Sequence, residues 1–250
     1  MNEGVRVDCL GVPVVCTRWE TVRQWFFVAI EARDARSLYF VNAHTLNLAW
    51  DDAEFRGVLG RGDLVLNDGI GLAIYARLAR QKFDYNFNGT DLLPRLFETA
   101  DPQRPLKVFL YGAVPGRAEL AARNVTSRYR GVEIAGTLDG FVRDGAIERI
   151  NATSPDVLLV GMGNPLQEQW IDRHRAQLRV GVVAGIGALI DFLSGETTRA
   201  PSWIRAAQME WAFRLVLEPK RMWRRYVLGN PVFIGRSAAY LGGIARPKPE

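Results

Sequence analysis

Short apolar runs alternate with helical patterns along most of this chain of 250 residues, and the alternation constrains the fold more than any other feature. Several runs are apolar at both odd and even positions, which is typical of strands buried on both faces of a parallel sheet. The sequence therefore predicts an α/β fold, with a Rossmann-like, mostly parallel sheet and helices on both faces. The predicted strands are residues 37–43, 63–68, 106–113, 132–140, 156–163 and 180–187, and the predicted helices are residues 46–60, 70–80, 91–99, 115–130, 166–177 and 202–217.

The two ends of the chain differ from this alternating pattern. Residues 5–34 predict a small hairpin followed by a helix, and from Ser202 onward the sequence becomes helical, aromatic and basic. We therefore place a boundary near Pro201. We expect a core that spans residues 1–200 and a basic helical appendage that spans residues 201–250.

Positive charge is concentrated in this appendage. The whole chain has a net charge of +5, but the residues from Arg199 to Glu250 include ten Lys and Arg against three Glu, so the preceding part is slightly acidic. A basic segment on a nearly neutral body indicates an anionic partner, such as membrane headgroups, phosphates or nucleic acid, unless it is only a solvated face. Residues 226–245 suit an interfacial segment better than a membrane-spanning helix. The N-terminus lacks the basic and apolar segments of a secretory signal peptide.

Histidine and cysteine usage argues against a zinc site. The two histidines, His44 and His174, have no metal-ligand spacing between them. Cys9 and Cys16 form no Cys-x-x-Cys motif and lie in or beside apolar, strand-like sequence, so we expect free thiols in a reducing compartment.

Residues that directly follow a predicted strand are candidates for a site, because ligands of open α/β sheets bind beyond the carboxyl ends of the strands. Asp68 ends one such strand and is followed by Gly69 and Gly71, which allow a ligand to approach closely. A carboxylate in this place is suited to act as a general base. The alternative is that Asp68 only caps the helix that follows.

Glycine-rich strand ends recur further along the chain. Gly112 and Gly116 form half of a dinucleotide-binding pattern, in which a turn presents backbone N–H groups to a phosphate at a helix start. The stretch GMGNPLQEQW (161–170) places Gln167 just inside a helix, where its amide can bind a sugar or a base. The neighbouring Glu168 either contacts the ligand or only favours the helix dipole.

Three charged side chains complete the candidates in the core. Asp191 is flanked by Ile190 and Phe192, so its carboxylate needs a polar partner or a ligand. Arg199 lies in a loop and is able to bind a phosphate oxygen. Asp91 lies near a helix start, where a carboxylate also simply stabilises the helix.

The appendage interleaves arginines with aromatic residues between residues 210 and 226. This pattern suits a membrane interface or single-stranded nucleic acid. The aromatic side chains also suit docking of the appendage onto the core.

Taken in order, these segments resemble the WecG/TagA/CpsF family of bacterial glycosyltransferases (glycosyltransferase family 26). The resemblance covers about residues 36–234, and its most specific runs are P-x-Q-E-x-W, R-A-P-x-W and E-W-x-x-R-L-x-x-E-P-x-R-x-x-R-R-Y. The matching segments are NAHTLNLA (42–49), LVLNDGIGL (64–72), NGTDLLPRL (88–96), VFLYGAVPGRAELAA (108–122), GTLDGFV (136–142), VLLVGMGNPLQEQWI (157–171), GALIDFLSGETTRAPSWI (187–204) and EWAFRLVLEPKRMWRRYVLGNPVF (210–233).

This resemblance implies a specific activity. Such enzymes transfer a sugar, typically an N-acetylhexosamine, its uronic acid or a hexose, from a UDP-sugar to a saccharide on a polyprenyl diphosphate carrier. Their products belong to bacterial cell-surface polymers or exopolysaccharides. The resemblance also implies an inverting, metal-independent reaction without a cofactor. It further implies a cytoplasmic enzyme, peripheral on the inner face of the plasma membrane, whose basic appendage closes the site against an anionic membrane surface.

Carried over residue by residue, the resemblance places Asp68 on the family's proposed catalytic base. Phe40, Asn88 and Phe141 stand where Thr, Arg and Tyr are common in the family, so the donor and the acceptor stay open and include a neutral hexose. We expect the substrates to be bound by Asn42, Asn88, Asp91, Gly112, Phe141, Gly161, Gly163, Asn164, Gln167, Glu168, Gly187, Asp191, Arg199, Arg214, Arg221 and Arg224.

Two other functions fit parts of the sequence. An NAD(P)-dependent oxidoreductase fits the Rossmann-like pattern, but the full G-x-G-x-x-G motif is absent and no His or Tyr is clearly placed for proton transfer. A non-enzymatic membrane- or nucleic-acid-binding protein fits the basic appendage, but such a protein does not require acidic residues at the strand ends of a Rossmann-like core. We expect no nucleic-acid partner, and apolar helices near the N-terminus permit a homo-oligomer.

Overall fold

An eight-stranded sheet runs through the centre of the protein in a computed structural model, which describes residues 4–206 and 209–249. The strands are β1 (Val5–Cys9), β2 (Val12–Cys16), β3 (Arg36–Val41), β4 (Leu64–Asn67), β5 (Leu106–Gly112), β6 (Val132–Leu138), β7 (Val157–Gly161) and β8 (Val182–Gly185). Their order is β1-β2-β4-β3-β8-β7-β5-β6. β1 pairs with β2 in the antiparallel direction, whereas the other neighbouring strands pair in parallel. The predicted α/β fold with a mostly parallel sheet is confirmed.

Helices connect the strands and form the C-terminal segment. The core helices are α1 (Trp19–Ala32), α2 (Ala43–Asp51), α3 (Ala53–Gly60), α4 (Ile70–Leu78), α5 (Gly89–Glu98), α6 (Arg117–Arg128), α7 (Ala146–Ala152), α8 (Leu166–His174) and α9 (Leu189–Leu193). A 3₁₀ turn (Arg175–Gln177) follows α8. The C-terminal segment contains α10 (Ser202–Ala206), α11 (Glu210–Leu217), α12 (Pro219–Trp223), a π-helical turn (Arg224–Leu228) and α13 (Gly229–Leu241).

Helices cover both faces of the sheet and create two hydrophobic core layers. In β3, Leu38 and Phe40 pack into one layer with α1, α5, α6 and α9. Tyr39 and Val41 of the same strand pack into the other layer with α2, α3, α4, α8 and α13. Because successive side chains of a strand point to opposite faces, a strand that is apolar at every position is buried on both.

Several predicted elements differ from the observed ones. The helix predicted over residues 46–60 is two helices, because the Asp52 carboxylate caps a new helix by accepting the N–H of Phe55 at 2.9 Å. Helix α7 lies in a region where no helix was predicted. The N-terminal hairpin is confirmed, but it also extends the main sheet, since β2 pairs with β4.

The last helix of the C-terminal segment packs onto the core. Phe233 in α13 is 1% exposed and lies against Tyr75 of α4, with ring centroids 6.4 Å apart. Arg236 donates to the backbone oxygen of Asn47 at 2.9 Å and to the Asp51 carboxylate at 2.8 Å. The segment from residue 201 is therefore helical and outside the sheet, and α13 contributes to the second core layer. The division into two domains near residue 200 stays a prediction.

Candidate active site

A cavity of about 1140 Å³ opens at the carboxyl edge of the sheet. Its walls combine the ends of β3, β4, β7 and β8 with side chains of the C-terminal helices. The sequence predicted a site at the carboxyl edge of the sheet, and this cavity lies at that edge. The cavity is lined by these predicted site residues: Asn42, Asp68, Asn88, Phe141, Gly161, Gly163, Asn164, Gln167, Gly187, Asp191, Arg214 and Arg224.

Asp68 is fixed at this edge by Asn42 of the neighbouring strand end. The Asn42 side chain donates from Nδ2 to Oδ2 of Asp68 at 3.2 Å. Its Oδ1 caps α2 by accepting the N–H groups of His44 and Thr45, each at 3.1 Å. Both the oxygen and the nitrogen of the Asn42 amide are therefore hydrogen-bonded. This fixed amide in turn holds the Asp68 carboxylate in one orientation. Asp68 itself is not the cap of α4, because Gly69 occupies that place.

Burial raises the pKa of Asp68 above its ordinary value, although the hydrogen bond from Asn42 and the positive charges of Arg225 and Arg214 oppose the rise. A carboxylate with a raised pKa binds a proton more readily and is a stronger general base. The environment of Asp68 thus suits removal of a proton from a substrate hydroxyl.

Asn86 also shapes the turn after Asp68, and the sequence did not single it out. Gly69 adopts a φ of 85°. Its N–H donates to Oδ1 of Asn86 at 2.7 Å. Asn86 comes from the loop between α4 and α5, which carries no periodic pattern, so only the folded chain brings it to Asp68. In the sequence, only its position two residues before the NGTDLLPRL segment could have indicated a place near the site.

Asn88 and Asp91 form a charged cluster with two arginines. Asn88 caps α5 through the N–H of Asp91 at 2.8 Å, and its Nδ2 donates to Oδ2 of Asp91 at 2.8 Å. Oδ1 of Asp91 accepts from Arg199 at 2.7 Å and from Arg205 at 3.1 Å. Burial alone would raise the pKa of Asp91, but the hydrogen bonds from Asn88 and Arg199 and the charges of Arg199 and Arg205 lower it. Asp91 thus joins α5 to the loop of Arg199 and, through Arg205, to the C-terminal segment. Neither Asp91 nor Arg199 lines the cavity.

The predicted glycines have two different functions in the site. A Cβ on Gly112 would collide with the backbone oxygen of Gly161, and a Cβ on Gly161 would lie 2.9 Å from the backbone oxygen of Gly187. These glycines allow adjacent strand ends to pack. Gly163 and Gly187 instead have positive φ angles of 80° and 54°, and a Cβ on either would meet no atom within 4 Å. This second pair leaves the cavity open for a ligand to approach the backbone.

Gln167 and Glu168 lie behind these glycine loops. Gln167 is 2% exposed and Glu168 is fully buried. Oε1 of Gln167 accepts the N–H of Gly163 at 3.2 Å and that of Gly187 at 2.9 Å. Oε1 of Glu168 accepts from Nε2 of Gln167 at 2.7 Å and from Nδ2 of Asn164 at 2.6 Å. The Gln167 oxygen is therefore occupied by the protein's own backbone.

Asp191 and Phe141 lie on the side of the cavity near β6 and α6. Asp191 faces Arg117 at 3.6 Å, which is the polar partner that its apolar flanks required. Arg117 begins α6 directly after Gly116 and lines the cavity, although the sequence prediction omitted it. Phe141 is 70% exposed and also lines the cavity.

The C-terminal helices bring positive charge to the cavity. Arg214 in α11 lies over the ring of Phe192, with 5.7 Å between its guanidinium carbon and the ring centroid. Arg224 is exposed and lies 5.7 Å from the Trp223 ring centroid. Arg225, which was not a predicted site residue, also lines the cavity. The predicted contact from Arg221 falls on a side chain outside the described part of the structure.

His44 is held in its neutral form beside these arginines. Burial and the nearby charge of Arg225 lower the pKa of His44 to about 4.

Among the residues that the structure describes, no group of three or more His, Cys, Asp or Glu side chains is arranged to hold a metal ion. Within residues 4–206 and 209–249, no helix is both long and apolar enough to cross a membrane.

Comparison with known proteins decides the family. The profile of the glycosyl transferase WecG/TagA/CpsF family matches residues 7–245. The chain belongs to this family. The glycosyltransferase is 33% identical over 187 residues to a Bacillus subtilis (strain 168) protein, covering 74% of this chain and 72% of the relative. A Staphylococcus aureus (strain NCTC 8325) protein is 27% identical over 240 residues, covering 93% of this chain and 92% of the relative. Both relatives are named N-acetylglucosaminyldiphosphoundecaprenol N-acetyl-beta-D-mannosaminyltransferase.

The stability of this glycosyltransferase should depend on pH through Glu168. Burial raises the pKa of Glu168 from 4.5 to about 7, against the hydrogen bonds from Gln167 and Asn164 that lower it. The folded protein therefore holds this proton more tightly than the unfolded chain does. We expect the free energy of unfolding to fall by about 3 kcal/mol as the pH rises from 4.5 to 7, and then to level off.

Urea unfolding at a series of pH values, with Glu168→Gln as the matched control, tests this dependence. The difference in stability between the wild type and the variant isolates Glu168 from the other carboxyl groups that titrate in the same range. A difference that stays constant between pH 4.5 and 7.5 would contradict a raised pKa.

Proposed function

We propose that this glycosyltransferase moves a sugar from a UDP-sugar to a saccharide on a polyprenyl diphosphate carrier, with inversion at the anomeric carbon and without a metal ion. The observation that carries the proposal is the place of Asp68, a carboxylate oriented by Asn42 in a cavity that arginines also line. The relatives are named for transfer to a sugar linked to diphosphoundecaprenol, and this supports a lipid-linked acceptor.

Asp68 acts as the general base in the proposed reaction. The acceptor hydroxyl oxygen bonds to the anomeric carbon while the bond from that carbon to the UDP oxygen breaks. The hydroxyl proton passes to the Asp68 carboxylate, and the electron pair of the broken bond leaves with UDP. Since attack and departure occur on opposite faces of the sugar, one carboxylate is enough and the anomeric configuration inverts.

Arginine side chains stabilise the departing diphosphate in this proposal. Arg214 and Arg225 line the cavity and lie close enough to Asp68 to affect its pKa, and Arg117 lies at the start of α6. Arginine forms paired, charge-assisted hydrogen bonds with phosphate oxygens. Fixed positive charges aimed at a developing negative charge are effective in a site that excludes water. These side chains therefore supply the electrostatic stabilisation that a divalent cation provides in other transferases.

We also infer that the C-terminal helices rest on the cytoplasmic face of an anionic membrane. They carry most of the excess positive charge, and they expose large apolar side chains. Basic residues next to exposed aromatic and aliphatic side chains favour the headgroup region of a bilayer. The exposed apolar side chains here include those of Trp203, Val216, Leu217, Trp223, Val227 and Leu228.

A transfer assay tests the proposed reaction. Purified enzyme is incubated with each of a panel of UDP-sugars and a polyprenyl-diphosphate-linked saccharide, with and without EDTA. We expect one UDP-sugar to be transferred, the product to show inverted anomeric configuration by NMR, and the rate to be unchanged by EDTA. Loss of activity in EDTA that Mg²⁺ or Mn²⁺ restores would overturn metal independence, and retention of configuration would overturn the single-base mechanism.

A further inference from the structure

Three buried or half-buried polar side chains behind the cavity form a closed cluster, which we call the amide–carboxyl cluster: Asn164, Gln167 and Glu168. Its centre is Oε1 of Glu168, which accepts two amide N–H groups at 2.6 and 2.7 Å. Glu168 has no exposed surface, so it makes no contact with a molecule in the cavity. Any effect of Glu168 on transfer must therefore pass through Gln167 or Asn164.

The cluster ties together the loops that follow two neighbouring strands. Oε1 of Gln167 receives the N–H of Gly163 after β7 and the N–H of Gly187 after β8. Both glycines have positive φ angles and face open space. The surface on which a ligand would rest therefore includes two glycines, and one shared acceptor atom sets the distance between them.

Glu168 and the two glycine N–H groups together fix which way the Gln167 amide points. An amide side chain has an oxygen and a nitrogen of nearly the same shape, so its orientation depends on its partners. The Glu168 oxygen accepts hydrogen bonds, which requires Gln167 to present Nε2 to it at 2.7 Å. The amide oxygen must then face Gly163 and Gly187. Without the Glu168 oxygen, Nε2 of Gln167 loses the hydrogen bond that holds that end of the amide in place.

The second oxygen of the Glu168 carboxyl group does not contribute to this cluster. Oε2 of Glu168 is buried and has no hydrogen-bond partner among the described residues. A buried polar atom without a partner lowers stability. An apolar side chain of similar length would avoid that loss, but it would remove the acceptor for the amides of Gln167 and Asn164.

We infer that Glu168 is a positioning residue for sugar transfer: it orients Gln167, and Gln167 fixes the two glycine loops on which the donor lies relative to Asp68. This inference rests on the proposed function, because it assigns a role within that reaction. Loops that shift by about 1 Å would misalign the donor and the base, and a misplacement of that size is able to cost about 100-fold in rate.

A reciprocal exchange of the two residues tests the inference. In Gln167→Glu, two carboxyl groups face each other and the amide donor to Glu168 is lost, so at a pH well above 7, where both groups are ionised, we expect kcat to fall by about 100-fold. In the double variant Gln167→Glu/Glu168→Gln, residue 167 still accepts both backbone N–H groups and residue 168 now donates to it. The Asn164 amide rotates to accept from residue 168, and the net charge equals that of the wild type. We expect the double variant to recover kcat to within about tenfold of the wild type.

The outcomes separate positioning from other roles. If the Gln167 amide contacted the donor directly, a change at the fully buried residue 168 would not restore activity, so a double variant as slow as Gln167→Glu would overturn the inference. Melting temperatures are measured alongside, because a purely structural role would lower the melting temperature while leaving kcat at 20 °C unchanged.

A second pair of variants keeps the test decisive if Gln167→Glu does not fold. Glu168→Gln retains an acceptor oxygen for Gln167 and Asn164, whereas Glu168→Met has similar length and no such acceptor. We expect kcat to fall by about 100-fold in Glu168→Met and much less in Glu168→Gln. Equal losses in the two variants, or full kcat in Glu168→Met, would overturn the inference. A wild type that transfers no sugar from any UDP-sugar would instead overturn the proposed function.

Discussion

Replacing Asp68 by asparagine is expected to lower kcat for sugar transfer by about 10²- to 10⁴-fold, the range that a positioned general base contributes. Asparagine has nearly the same shape and still offers an oxygen to Nδ2 of Asn42, which donates to Oδ2 of Asp68 at 3.2 Å in the wild type. The cavity should therefore keep its form, and only the ability to take a proton is lost. Steady-state kinetics at saturating substrates measure kcat, and calorimetric titration measures the affinity for UDP, which should change by no more than a few-fold.

The pH dependence of the wild type gives a second measure of the same group. The base must be unprotonated, so kcat/KM should rise with pH through the pKa of Asp68, which burial holds above its ordinary value. The residual activity of Asp68→Asn should lack that step.

Asp91→Asn is the matched control for this substitution. Asp91 is a nearby carboxylate whose oxygens are already engaged by Asn88, Arg199 and Arg205. We expect it to lose far less kcat and to keep the pH step. If Asp68→Asn retained kcat within tenfold of the wild type, or if both variants lost kcat equally, Asp68 would not be the base.

The sheet was predictable because its strands are apolar on both faces. β5 begins at Leu106 and β6 begins at Val132, as the apolar runs indicated, and β3 and β4 begin within one residue of their predicted starts. Elements without such a signal were not found. Helix α7 is a stretch of only seven residues, AIERINA, and the pairing of β2 with β4 joins segments about 50 residues apart.

The site was predictable to the extent that it consists of strand ends. The contact between Asn42 and Asp68 was predictable because each residue directly follows a strand, and the parallel sheet brings such residues to one edge. The direction of a side chain was not predictable. Gln167 lies at the start of α8, and a helix start alone does not reveal whether a side chain faces the cavity or the sheet behind it. The contact of Arg199 with Asp91 spans 108 positions and depends on the complete fold.

Docking of the C-terminal segment changes how its role is best tested. Deleting residues 203–250 would remove Phe233, which is buried against Tyr75, together with the Arg236 contacts to α2. Loss of a buried aromatic side chain costs about 3–5 kcal/mol of stability. A truncated protein would thus fail to bind membranes for reasons unrelated to the membrane. Substitutions on the exposed face of the segment avoid this ambiguity.

Replacing Trp223, Val227 and Leu228 together by glutamine is expected to weaken binding to anionic vesicles by about 100-fold. All three side chains are exposed, and they lie on adjacent turns of α12 and the π-helical turn. Burying an apolar side chain of this size gains about 1.5–3 kcal/mol when complete, so partial burial of three at a bilayer surface gains about 3 kcal/mol in total. That free energy corresponds to about two powers of ten in partition. Sedimentation with vesicles that contain phosphatidylglycerol measures the partition directly.

The controls for this variant separate apolar insertion from charge and from folding. Val28→Gln alters an exposed apolar residue of α1, on the opposite face of the sheet from α13, and should leave vesicle binding unchanged. Raising the salt concentration should weaken the binding of the wild type and the triple variant by similar factors, because the arginines are present in both and their attraction to anionic lipid is screened. Unfolding curves establish that the triple variant is as stable as the wild type. If the triple variant folds stably and still binds vesicles as tightly as the wild type, these three side chains do not contact the membrane. The positive charge alone would then account for the binding.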